Sequence, residues 1–122
     1  MNTILMFAAL AEAGTGVILL AYPPIVVRLL FDTEIFGAGD IMSRLAGIVL
    51  IGLGAACWPG TDTRRAFYGM VTYSVLAMLF LIYIGVSGEG VGLLLWPGVV
   101  VHAILIVLLG AAWLKQRKSP AT

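Results

Sequence analysis

Four apolar runs, each about a membrane's width in helical residues, fill most of the chain: 3–22, 39–58, 66–86 and 91–114. About 20 helical residues cover the hydrocarbon core of a bilayer. Inside that core every backbone N–H and C=O must be bonded internally, so a spanning segment is a helix or part of a closed barrel. Four strands cannot close a barrel. The expected fold is all-α, an integral membrane four-helix bundle that forms a single transmembrane domain over residues 1–122.

Composition agrees. The chain is 61% hydrophobic and 11% charged, against about 25% charged in soluble domains. Beside four spans there is no room for a soluble core. The net charge of +1 comes from seven basic and six acidic residues, which gives no footing for nucleic acid. One cysteine, Cys57, allows no internal disulfide and no cysteine-based metal cluster. It stands at the end of an apolar run and reads as a packing residue.

Residues 11–13, Ala-Glu-Ala, have the small-x-small pattern of a leader cleavage site. No Lys or Arg precedes them and the apolar stretch ahead is short, so the first run is expected to be retained. No lipidation signal is expected at either end.

The connections are short. Pro23-Pro24 ends the first run and opens a second helix, because proline fits a helix start. Residues 24–31 are apolar around Arg28 and too short to span, so a short interfacial helix is expected there. Residues 32–40 form an acidic, glycine-containing loop. In residues 59–65, Pro59-Gly60 marks a turn and Thr61 or Asp62 is placed to cap the third span. Residues 87–90 read as a tight turn. After Leu114 comes a short basic tail, expected to have no fold of its own.

Loop charge sets an expected orientation. Arg64, Arg65, Lys115, Arg117 and Lys118 fall on one side, and the other side carries Arg28 with Asp32, Glu34, Asp40 and Glu89. Basic residues concentrate in cytoplasmic loops, which puts both termini in the cytoplasm. Trp58 and Trp113 then mark the inner boundary, and Tyr22, Tyr83 and Trp96 the outer one.

Within the first run stands a carboxylate, Glu12. Such a group at mid-bilayer costs roughly 2.5–3.5 kcal/mol on insertion scales. At about 1.5 Å of rise per residue, His102, Tyr73 and Ser74 fall near the same depth, and Arg44 lies roughly 7 Å further out. Thr15 and Ser43 lie on that outer side as well. Polar groups in lipid turn inward and find one another. Glu12, Arg44, Tyr73 and His102 are therefore the candidate site, with Glu12–Arg44 as the expected ion pair and Tyr73 or His102 satisfying the remaining lone pairs. One His and one Glu make a poor metal site, so no metal and no cofactor is expected.

Small residues recur at helical spacing: Ala9 and Ala13, Ser43 and Gly47, Gly52 and Ala56. They allow close helix approach, within the chain or between copies of it. Trp96-Pro97-Gly98 is expected to kink the outer turn of the last span; the freed carbonyls there either line a cavity or simply accompany an interfacial Trp and a tolerated proline. The two halves show no internal repeat of the kind inverted-repeat transporters carry. No P-loop, GxGxxG, GxSxG, HExxH or CxxC is present.

The second span carries a basic residue near its outer end followed by glycines: Ser43-Arg44-Leu45-Ala46-Gly47, then Leu50-Ile51-Gly52-Leu53-Gly54. In this, and in length and span count, the chain resembles the DoxX-like small bacterial four-helix membrane proteins. Some of these are linked to quinone-associated redox complexes, so the resemblance implies an accessory membrane subunit. It supplies no catalytic residue.

Three functions fit these observations. The first is a protein that binds a lipophilic small molecule or lipid at Glu12, Arg44, Tyr73 and His102. The second is a non-catalytic accessory subunit or assembly factor of a membrane redox complex, or a homo-oligomer, in which the polar cluster only staples the helices. The third is a membrane enzyme with Glu12 as acid or base, Arg44 holding charge, and His102 or Tyr73 relaying the proton.

Overall fold

The computed structural model describes residues 1–60, 62–88 and 90–118. They form five helices in chain order: α1 (Asn2–Ala21), α2 (Pro23–Phe31), α3 (Ala38–Ala56), α4 (Thr63–Ser87) and α5 (Leu95–Lys118). All except α2 are long and apolar enough to cross a membrane. The chain is thus an all-α, multi-pass membrane protein, with many large apolar side chains turned outward as lipid requires.

Each helix ends for a local reason. Pro23 and Pro24 occupy the first two positions of α2, and the Tyr22 N–H returns to the Ile18 carbonyl. Asp32 takes the left-handed conformation that closes α2, and Gly88 does the same for α4. Asp62 caps α4 by accepting from the Arg65 N–H at 3.1 Å. Thr61, the other expected cap, and Glu89, counted with the acidic side, lie outside the described residues.

The fourth span differs from expectation at both ends. It begins at Leu95, not Val91, so Pro97 falls in the first helical turn. A missing N–H there costs no helical hydrogen bond, and the Gly98 N–H still bonds the Leu94 carbonyl. The helix starts at this proline's turn, in place of the expected kink. At its other end α5 continues through Lys118, so the basic tail up to that residue is helical. Lys115, Arg117 and Lys118 stand in its last turn, where cations suit the helix dipole.

Two close helix pairs make the bundle. α1 lies on α3 through small residues: a Cβ on Gly47 would stand 2.6 Å from the Gly16 carbonyl oxygen, and one on Gly54 would stand 2.7 Å from that of Ala9. The small-residue spacings thus serve packing within the chain, although Gly52 faces open space. α4 and α5 meet where the Trp96 ring and Leu95 cover Gly85. The pairs join through a core of Leu5, Ala8, Cys57, Ala66, Phe67, Met70 and Leu109, set toward the end that carries Trp113 and the basic residues. There Phe67 stacks on Trp113, with ring centroids 4.7 Å apart.

At the opposite end the pairs diverge. α3 approaches α4 where Cys57 meets Gly69, and among the described residues α3 and α5 have no close approach. α2 and residues 91–94 lie across this wider end. The Gly92 and Leu94 N–H groups donate to the Leu30 and Leu29 carbonyls at 2.9 and 2.7 Å. Carbonyls in the last turn of a helix have no partner within it, and Gly92 and Leu94 supply one to each of these two.

Candidate functional site

The divergence leaves a partly open cavity of about 960 Å³. α1 forms its back with Glu12, Thr15, Ile18 and Leu19. α3 gives Leu45, Ala46, Val49 and Leu50, and α4 gives Tyr73, Ala77, Phe80 and Leu81. Val101, His102 and Leu105 of α5 complete the wall. α2 roofs it with Val26, Leu29, Leu30 and Phe31. Several wall residues, such as Val49 and Phe80, remain more than half exposed, because the space is open on one side between helices and not sealed.

Polar groups gather at the floor. The Tyr73 hydroxyl donates to Glu12 Oε2 at 2.9 Å, joining α1 to α4. His102 meets the Tyr73 ring edge-on, centroids 5.7 Å apart and planes at 72°. Its Nδ1 is buried without a hydrogen-bond partner. Glu12 is 7% exposed. Its second oxygen has no protein donor among the described residues. Tyr73, His102 and Glu12 are thus brought together as their depths suggest. Thr15 sits beside them, its hydroxyl turned back to the Ala11 carbonyl.

Arg44 is not part of this group. Its Nε pairs with Asp40 at 3.0 Å and its Nη1 donates to the Leu20 carbonyl at 2.7 Å. The expected Glu12–Arg44 ion pair is therefore absent, for a reason that lies in the backbone. In α1 the Leu20 carbonyl would accept from residue 24, which is a proline with no N–H. The guanidinium fills that vacancy and is held there by Asp40, one turn before it on α3. Leu20 is eight residues above Glu12, roughly 12 Å along the helix.

No family model, curated protein or solved structure matches this chain. What it does must therefore follow from the site's own geometry.

Chemically the site is a large apolar space with one carboxylate, one phenol and one imidazole at its end. Small-molecule sites run about 300–1,000 Å³, mostly apolar with a few polar groups that fix orientation. This cavity is at the upper end of that range. Ser74, next to Tyr73 on α4, is fully buried outside the cavity, its hydroxyl unpartnered. Among the described residues no group of three His, Cys, Asp or Glu side chains gathers as metal ligands would.

Depth and polarity do not point to the apolar walls. Leu45, Ala46, Val49, Phe80 and Val101 are ordinary residues of a membrane helix, and only the tertiary divergence of the pairs makes them a lining. One signal for that divergence is legible. The glycines that permit close approach crowd into α1 and α3, and the cavity-facing half of α4 has none until Gly85.

Proposed function

We propose that this protein binds a lipophilic small molecule or lipid in the cavity, with its polar group at Glu12, Tyr73 and His102 and its apolar body against the walls. One observation carries the reading: the cavity ends on a carboxylate that is hydrogen-bonded on one side only. A space of this size lined by hydrocarbon gains from filling it with hydrocarbon, and a polar group in it must be matched. The open side between α3 and α5 gives a ligand dissolved in the bilayer a lateral route.

We place the protein in a bacterial inner membrane, as the DoxX-like resemblance implies, with both termini in the cytoplasm on the strength of the basic residues at the Trp113 end. A reporter fused after Lys118 is expected to be active only in the cytoplasm, and activity outside would reverse this orientation.

A second reading rests on the Tyr73 hydrogen bond. A buried carboxylate that accepts a phenol proton donor can serve as the acid or base of a membrane enzyme, with Tyr73 as the group that exchanges a proton with Glu12. The DoxX-like resemblance supports a third, an accessory subunit whose open side receives a partner helix.

Photocrosslinking separates these. A benzophenone amino acid at Val49 lines the cavity, and at Val107 it faces outward from α5. The binding reading predicts one adduct of defined mass at Val49 and a mixture of bulk phospholipids at Val107. The same mixture at both positions would overturn it, and a protein adduct at Val49 would favour the accessory subunit.

A further inference from the structure

We propose that the ligand is a lipophilic organic cation, a single positively charged nitrogen on a hydrocarbon body, and that Glu12 is its counter-ion. This rests on the binding reading above and narrows it to a chemical class.

Glu12 is the one acidic or basic side chain, histidine aside, on the lining among the described residues. The nearest basic candidate in the chain, Arg44, is already committed to Asp40 and to the Leu20 carbonyl. Arg28 pairs with Glu34 at 3.3 Å beyond the roof, away from the lining. Arg65 pairs with Asp62 at 3.1 Å at the far end of the bundle. Among the described residues no Lys or Arg pairs with the Glu12 carboxylate, and neither an ion pair nor a hydrogen bond joins it to His102.

An ionised carboxylate in an apolar, water-poor space is stable only when paired and hydrogen-bonded. Tyr73 supplies the hydrogen bond. What the protein leaves out is the positive charge, and a cationic ligand brings it. Aromatic faces add to the fit. Tyr73 stands on the lining in contact with Glu12, and aromatic rings attract ammonium groups, the more so when both are desolvated. The remaining walls are hydrocarbon and match the ligand's body. A neutral alcohol of the same shape would fill the walls equally well and leave the carboxylate without its counter-charge.

The test compares two probes that differ only at the head: 1-aminododecane, which is protonated at neutral pH, and 1-dodecanol. Binding is measured in nanodiscs of zwitterionic phospholipid, with empty nanodiscs subtracted, for the parent, Glu12→Gln and Ala46→Trp. Gln keeps the size of the side chain and an oxygen for the Tyr73 hydroxyl. Ala46 is an exposed wall residue of α3, so an indole there obstructs the cavity without crowding the core. The proposal predicts that the parent binds the amine at least tenfold tighter than the alcohol. Glu12→Gln should lose that preference and retain the alcohol, and Ala46→Trp should lose both probes. Equal binding of amine and alcohol by the parent, both lost in Ala46→Trp, would overturn the cation and leave the cavity as a binding site. Absence of both probes from the parent would overturn cation and cavity together.

Discussion

The Tyr73 hydroxyl donates to Glu12 across the space between α1 and α4, at 2.9 Å. This bond links the two halves of the bundle at the floor of the cavity, below the level where they separate. Side-chain hydrogen bonds between membrane helices average about 0.6 kcal/mol and reach about 1.7. Tyr73→Phe is expected to lose an amount in that range, read from unfolding in mixed micelles, while keeping the edge-on ring contact with His102. It also removes the donor that orients the carboxylate, so ligand retention should fall more than stability does. A variant with parental stability and parental ligand content would mean that this bond does neither job.

Arg44 is predicted to be energetically independent of Glu12. A double-mutant cycle of Arg44→Gln with Glu12→Gln should give a coupling near zero. The cycle of Arg44→Gln with Asp40→Asn should give about 0.2–1 kcal/mol, as for other half-exposed ion pairs. A Glu12–Arg44 coupling of several kcal/mol would contradict the arrangement described here, since breaking a buried ion pair costs about 3–5 kcal/mol.

Much of this architecture is legible in the amino-acid sequence, and the exceptions share a cause. Four spans, the helix at Pro23 and the depth match of Glu12, Tyr73 and His102 follow from lengths and from helix rise, which are local quantities. Depth alone misplaces Arg44 because it ignores backbone demand. Pro24 strips the Leu20 carbonyl of its partner, and that need is readable in the sequence once residue 24 is seen to lack an N–H. The roof is beyond such reasoning, because the pairing of residues 91–94 with the end of α2 depends on where two distant segments meet. The cavity itself is a tertiary property, a gap between pairs whose walls look like any lipid-facing surface.

The α1–α3 seam supplies a sharp contrast between glycines. Gly47→Ala would set a methyl 2.6 Å from the Gly16 carbonyl oxygen and 2.8 Å from the Leu20 nitrogen, both backbone atoms. Overpacking of this kind costs about 1–3 kcal/mol. Gly52→Ala meets nothing within 4 Å and should be neutral or stabilise by up to about 1 kcal/mol, the helical advantage of alanine. Thermal unfolding of the two variants side by side reads the difference. Equal behaviour would mean that α1 and α3 are not in this register.

A lipophile held in the cavity above Glu12 should leave the membrane with the protein. Native mass spectrometry of the protein, released from its own membrane with its own lipids, tests it most directly. The parent chain is expected to carry one additional small mass at one copy per chain, and an equally well folded Glu12→Gln chain to be largely bare of it. A bare parent chain, or a Glu12→Gln chain that retains the full complement, would contradict it.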